Sequence, residues 1–307
     1  MTVTPSIYAI IGPTASGKSD LAMALARQLG GEILSVDSMQ VYRGMDVGTA
    51  KPSVQEQREV RHHVIDVVEP DQPFTAARFV ELADAAIADA AIGDARSRNV
   101  PLIAVGGTPL YFKVLFEGMF DGPGADDAVR ARLRALPNEE LHRRLIETDP
   151  TAAARIHVND TKRLVRALEV IELTGRPISS LQTEWESPAA LRHAAKWVGL
   201  SWQKEALNRR INARVKAMLE AGWVDEVRSL LTRYGTLSKT ASEATGYAEL
   251  IEHVHGNLSL DDAAERIKIA TRQLARRQMK WFKRFPGVQW LSGDRALEEN
   301  VDSVQTG

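Results

Sequence analysis

The run IYAIIGPTASGKSDLAMALARQL, Ile7 to Leu29, decides how the rest of the chain is read. It begins as five β-prone apolar residues and breaks at Gly12. It resumes at Lys18 with Leu21, Leu25 and Leu29 on one helical face. Between the two lies Gly-x-x-x-x-Gly-Lys-Ser, formed by Gly12, Pro13, Thr14, Ala15, Ser16, Gly17, Lys18 and Ser19. A glycine-rich loop opening a helix turns backbone N–H groups and the helix N-terminus toward phosphate oxygens. Lys18 adds a point charge, and Ser19 a hydroxyl ligand for Mg²⁺. Strand, loop and helix in register outweigh a chance match in a glycine-rich turn. The motif specifies a phosphate without saying which one.

Outward from this run, strand and helix patterns alternate. EILSVDSMQVY reads as a strand entering a loop, HHVIDVVEP as a further short strand, and VPLIAVGG as a strand buried on both faces. A long helix with Thr75 as its cap runs through TAARFVELADAAIADAAIGDARSR. This order implies an α/β fold with a parallel sheet flanked by helices. From about 121 to 190 the pattern is amphipathic helix only, punctuated by Pro123, Pro137, Pro150 and Pro177. That stretch reads as an all-helical insertion domain, 121–190, in a core of 1–120 plus 191–307. KWVGLSW marks the return to the sheet, and the C-terminal third is again helical.

The composition narrows the chemistry. The 307 residues carry a net charge of −1, which excludes a uniformly polybasic binder but not a local basic face. With no cysteine, thiolate nucleophiles and cysteine zinc sites are excluded. No window reaches the roughly 18 apolar residues of a membrane span, and MTVTPSIYAIIG lacks a cationic leader. The expectation is a cytoplasmic protein.

Two further stretches converge on the same edge of the sheet. Asp37, at the end of the second strand, suits either a Mg²⁺ ligand or a general base, and a turn aspartate is the plainer alternative. Gly106 and Gly107 allow close approach of backbone to a ligand. Thr108 then places a hydroxyl there, or simply caps the next helix. His62, His63, Asp66 and Glu69 have no metal-ligand spacing and read as structural. The basic residues from Arg266 to Arg284 run without an acidic residue among them, which suits a polyanion as well as a solvated face. Trp281 and Phe282 read as core, and Arg210 and Arg214, one helical turn apart, as a clamp or as partners of Glu205 and Glu220.

Taken in order, GPTASGKS, DSMQVYRGMDVGTAKP, HHVIDVVEP, VGGTPLYFK, RALEVIELTGRPIS, LNRRINARVKAMLEAGWVDEV and TRQLARRQMKWFKR resemble the tRNA dimethylallyltransferase family, the bacterial tRNA isopentenyltransferases. The resemblance implies a P-loop NTPase-like fold whose loop holds dimethylallyl diphosphate rather than ATP. It implies Mg²⁺-dependent transfer of the five-carbon group to N6 of adenosine 37 in the anticodon stem-loop, in tRNAs reading codons that begin with U. Asp37 is then the expected base, and Thr108 and Lys18 the expected partners of the leaving diphosphate. The diphosphate site runs from Gly12 to Ser19, with Arg210 added and Ser19 on the metal. The resemblance also assigns tRNA contacts to Asp37, Ser38, Met39, Gln40, Thr108, Arg130, Lys162, Arg163, Leu164, Val165 and Arg166. A monomer is expected.

The chain departs from the family pattern at Thr245, Ala248 and Lys162, which bears on tRNA contacts rather than on the reaction. Three rivals stand beside this reading. A small-molecule kinase lacks an evident arginine-rich lid here. An enzyme prenylating free adenine nucleotides has no need of the helical insertion. A non-catalytic RNA-binding protein has no need of the full Lys18, Ser19, Asp37 and Thr108 set.

Overall fold

The computed structural model describes residues 6–91, 100–119, 122–186 and 192–306. The chain divides into two compact units, Met1–Phe116 with His193–Gly307, and Glu117–Arg192. The expected boundaries at 120–121 and 190–191 lie outside the described residues, as do residues 92–99 of the expected long helix.

The first unit is built on six parallel strands: β1 (Ile7–Ile11), β2 (Glu32–Ser35), β3 (His62–His63), β4 (Leu102–Gly106), β5 (Lys196–Ser201) and β6 (Gln289–Ser292). Their order across the sheet is β3-β2-β4-β1-β5-β6. Both faces are covered, and the period of two shows it. Ile7, Ala9 and Ile11 of β1, with Leu102 and Ala104 of β4, join one apolar cluster. Ile10, Ile103 and Val105 join another on the opposite face, with Leu21, Ala22 and Leu25 of the helix Lys18–Leu29. Burying both faces leaves the loops at the strands' carboxyl ends as the place for function. Ile11 pairs with Gly106, and Ser35 with Val105. The loops after β1, β2 and β4 therefore leave the sheet side by side.

Two strand readings change. VIDVV is a loop, because Val64 and Asp66 take positive φ (60° and 52°) and its N–H groups bond to carbonyls of Gln40 and Val41 instead of a ladder. β6 falls in the third expected to be helical; only four residues long at the sheet edge, it leaves little periodicity to read. Thr75 Oγ1 accepts from Arg78 N, so the helix Ala76–Ala91 has the expected cap.

The second unit is helical throughout its described residues. Its helices Asp127–Arg134, Asn138–Thr148, Pro150–Ala153, Thr161–Thr174 and Ile178–Glu186 pack on Leu133, Leu141, Leu145, Leu164 and Leu168. Among the described residues, no helix is long and apolar enough to cross a membrane.

Candidate active site

The loop after β1 is shaped by its neighbours before any ligand arrives. Ala15 and Gly17 take positive φ (63° and 88°), the second a conformation that glycine adopts without strain. Gly12 has no room for a side chain: a Cβ would lie 2.9 Å from Ser16 Oγ and 3.1 Å from the Leu200 carbonyl. Gly17 begins the helix without a side-chain cap, so its first N–H groups have no side-chain acceptor. The hydroxyl of Ser16 is buried and has no hydrogen-bond partner among the described residues. Free N–H groups and a buried orphan hydroxyl in one loop are what an anion would complete.

Three side chains grip the loop from outside. Trp202 Nε1 donates to the Ser16 carbonyl at 2.9 Å, and Arg210 Nε to the Ala15 carbonyl at 2.8 Å. The Arg210 guanidinium also stacks 4.5 Å above the Trp202 ring. Gln278 accepts from Thr14 N at 2.8 Å. Arg210 thus holds the loop's backbone, and among the described residues it forms no ion pair with Glu205. Its neighbour Arg214 has no hydrogen bond or ion pair among the described residues and lines the cavity beside the loop. Glu220 pairs with Lys216 instead. Spacing alone could not separate the two arginines; only their packing does.

That cavity encloses about 430 Å³, with Ala15 to Ser19, Arg210 and Arg214 on one side and Ser35, Gln40, Lys51, Glu56 and His62 among its other walls. It concentrates positive charge. Burial first, then the nearby Arg214, lowers the Lys18 ammonium to a pKa of about 8, with Asp37 and Asp20 opposing. Burial also pulls Arg214 below its ordinary value, against the support of the same two carboxylates. Ser19 is exposed at the cavity wall, and no group of three His, Asp or Glu side chains forms a metal nest among the described residues. The donor set suits Mg²⁺ that keeps several waters and leans on phosphate oxygens, with the Ser19 hydroxyl as a protein ligand.

Asp37 and Thr108 do not line this cavity but are tied to each other through Ser38. Asp37 Oδ1 accepts from Met39 N at 2.8 Å and Gln40 N at 3.3 Å, so half of the carboxylate serves as a turn. Oδ2 accepts no hydrogen bond among the described residues. Thr108 Oγ1 accepts from Ser38 N at 3.0 Å and lies 3.3 Å from Ser38 Oγ. Only its backbone carbonyl starts the following helix, accepting from Tyr111 N and Phe112 N. The two glycines before it approach protein, not open space. A Cβ on Gly106 would lie 2.0 Å from the Val36 carbonyl, and one on Gly107 2.6 Å from Gln278 Nε2.

Other expected contacts are already committed. The Gln40 amide accepts from Ser35 Oγ and donates to the Thr49 and Ala50 carbonyls. Met39 packs against the core. In the helical unit, Leu164 and Val165 are core residues, which removes their side chains from any surface contact. Arg130 Nε reaches Glu169 at 2.8 Å and Arg166 Nη1 reaches the same buried carboxylate at 2.7 Å. Burial opposes ionisation of Glu169, but the Asp126 N–H and the two guanidiniums outweigh it and hold the carboxyl below its ordinary value. Lys162 and Arg163 remain exposed, the latter 3.0 Å from Asp160. His63 bonds Glu32, Asp66 pairs with Lys51, and Glu69 accepts from the Tyr234 hydroxyl, all structural ties. His62 bonds the Val60 carbonyl through Nδ1 and also faces the cavity.

A parallel α/β sheet, a glycine-rich loop opening a helix beside two cations, and a carboxylate and a hydroxyl on adjacent loops form an α/β site whose chemistry suits a phosphorylated ligand. Comparison with known proteins identifies the family. A family model described as IPP transferase matches residues 40–285, and one described as isopentenyl transferase matches 5–70. A tRNA dimethylallyltransferase of Geobacter metallireducens is 48% identical over 95% of this chain and 94% of its own length. One of Anaeromyxobacter dehalogenans is 46% identical over 95% of this chain and 94% of its own. The crystal structure of a Bacillus halodurans tRNA isopentenylpyrophosphate transferase superposes with a TM-score of 0.71 at 35% identity, covering 98% of this chain and 94% of that one. A eukaryotic dimethylallyltransferase described as acting on tRNA gives 0.78 at 29% identity, covering 95% and 74%. The chain belongs to the IPP transferase family and is a transferase.

Proposed function

We propose that the chain transfers the dimethylallyl group of dimethylallyl diphosphate to N6 of adenosine 37 in tRNAs reading codons that begin with U. The observation that carries this reading is the pairing of a cationic cradle, Lys18 and Arg214 beside the Gly12–Ser19 loop, with the free Oδ2 of Asp37 one loop away. The cradle suits a leaving diphosphate, and the carboxylate suits an acceptor that must lose a proton.

The adenine amino group is a poor nucleophile because its lone pair is delocalised into the ring. As its nitrogen bonds the allylic carbon, the bond from that carbon to the diphosphate oxygen breaks. Asp37 takes the N6 proton, and the electron pair leaves with the diphosphate. Lys18, Arg214 and the uncapped N–H groups at the start of the helix Lys18–Leu29 stabilise that developing charge. The Ser19 hydroxyl would hold Mg²⁺, which would supply further neutralisation of the diphosphate. The Thr108 hydroxyl, accepting from Ser38 N, ties its loop to the one that carries Asp37. A base in an anticodon loop reaches this point by leaving its stack, which costs little in a single strand. Lys162, Arg163 and the exposed basic residues of the helix Leu260–Phe282 suit the tRNA backbone. A cytoplasmic monomer fits this role.

The test is nucleoside mass spectrometry of unmodified tRNA bearing adenosines 36 to 38, incubated with the protein, Mg²⁺ and dimethylallyl diphosphate. N6-dimethylallyladenosine at position 37 is the expected product, and Asp37→Asn slows its formation by about 100-fold or more. Product from free AMP but not from tRNA would overturn the tRNA reading. Full activity in Asp37→Asn would remove the base.

A further inference from the structure

Gln278 does something none of the sequence motifs announces. It sits on the helix Leu260–Phe282 and is only 7% exposed. Its two amide atoms are spent on two different loops of the site. Oε1 accepts from Thr14 N at 2.8 Å, and Nε2 donates to the Gly107 carbonyl at 2.6 Å. The partners fix the orientation of the amide, since Thr14 N can only donate and the Gly107 carbonyl can only accept.

The strands bring these loops close but do not set their spacing. β1 and β4 pair up to Ile11 and Gly106, and their ladder ends there. Gln278 bridges the next step. From Gly107 the connection runs one residue to Thr108, whose hydroxyl accepts from Ser38 N, and Ser38 adjoins Asp37. The amide therefore links the loop that cradles the leaving group to the loops that carry the acceptor side. Its own position is fixed by Ala275 and Phe282 on the same helical face, both buried. Gly107 has to be glycine for the amide to come so close.

We propose that Gln278 is a positioning residue for the transfer step, setting the separation between the cradle loop and the Thr108–Asp37 loops. The inference rests on the prenyl-transfer reading above. Gln278 does not line the cavity; it acts through Thr14 and Gly107. Displacing reacting groups by a fraction of an ångström to an ångström lowers the rate more than it lowers binding.

The experiment measures single-turnover rates with both substrates saturating, beside the Kd of dimethylallyl diphosphate. Gln278→Met fills the same space without the two hydrogen bonds. A rate fall of tenfold or more, with Kd within threefold of wild type, is expected. Gln278→Glu provides a second readout that packing alone does not move. Its protonated carboxyl offers one acceptor and one donor, as the amide does, whereas the ionised form turns an acceptor against the Gly107 carbonyl. The ratio of wild-type to Gln278→Glu rate therefore shrinks as pH falls from 8 to 5.5, and the comparison is made within one folded protein checked by circular dichroism. A Gln278→Met rate within twofold of wild type overturns the proposal. So does a loss in Kd that matches the loss in rate, or a rate ratio for Gln278→Glu that is flat with pH. If Gln278→Met does not fold, the Gln278→Glu profile decides. A wild-type chain that forms no product overturns the prenyl-transfer reading and this one with it, whereas with an active wild type a negative result bears on Gln278 alone.

Discussion

Lys18 is held in a state that a bound anion relieves. Burial and Arg214 lower its pKa to about 8, so at neutral pH it is charged in a place that penalises the charge. A diphosphate arriving against it favours the ammonium and raises that pKa. The sign follows. Below about 8 the lysine is already protonated and binding takes up no proton at this group. Above about 8 the free protein is deprotonated there, and binding must recruit a proton. Measured as the ratio to Lys18→Met, in which the ligand's own ionisation cancels, affinity for inorganic pyrophosphate is therefore expected to be flat from pH 6.5 to 7.5 and to weaken by up to tenfold per pH unit above 8. Calorimetry in buffers of different ionisation enthalpy at pH 8.5 should show proton uptake on binding, and Lys18→Met should abolish it. A wild-type to Lys18→Met Kd ratio that stays constant from pH 7 to 9.5 would sink the argument. Lys18 and Asp37 were legible in the sequence because loop spacing and strand order locate them. The choice between Arg210 and Arg214 was not, because both lie on one face of the helix Lys204–Glu220. Both line the cavity, but only Arg210 also meets the Ala15 carbonyl, and that difference depends on Trp202, many residues from the loop it braces.

Elements show the same division between pattern and packing. The helix Thr161–Thr174 was legible from its amphipathic spacing, yet the run KRLVR within it mixes roles that a surface motif suggests are one. Leu164 and Val165 point to the core, while Arg166 and Arg130 close on Glu169. The legible sign of this was an acidic residue three positions after Arg166 on an otherwise apolar face. Removing a buried acceptor takes the counter-charge from its cations, which costs more than the pair contributes. Glu169→Leu is expected to destabilise the helical unit by about 2–4 kcal/mol, reduced from a fully buried pair because both arginines keep some exposure. Amide hydrogen exchange reads this locally: protection in Thr161–Thr174 should fall by about 30-fold or more, while protection in β1 and β4 stays unchanged. Equal protection in the variant would mean that the arginines find other partners. The loop 64–68 and β6 were hidden for opposite reasons. The first has strand-like composition but bends at Val64 and Asp66, and the second is too short to show a period.

At the scale of the whole molecule, a net charge of −1 means that attraction for a polyanion has to come from local arrangement. The helix Leu260–Phe282 illustrates how. Its buried face carries Ala263, Ile267, Ala275, Gln278 and Phe282, and its acidic residues are confined to the N-terminal part, where they complement the helix dipole. Not all of its cations are free: Lys268 pairs with Glu265, and Arg272 donates to Asn212. Arg276, Arg277 and Lys280 are exposed. If these meet phosphates of the tRNA proposed as substrate, each contact releases counterions, and log K falls with log salt by about 0.7–0.9 per phosphate neutralised. The double variant Arg276→Ala with Arg277→Ala should then lower the salt slope of tRNA binding by about 1.5, with tRNA affinity falling most at low salt. The Kd of dimethylallyl diphosphate should stay within twofold, since neither side chain lines the cavity. The single-turnover rate at saturating tRNA should also hold, because neither arginine touches the loops that Gln278 joins. An unchanged slope would return this stretch to an ordinary solvated face. A slope that drops together with the saturated rate would instead mean that charge on this helix reaches the chemistry through the same amide that braces the cradle.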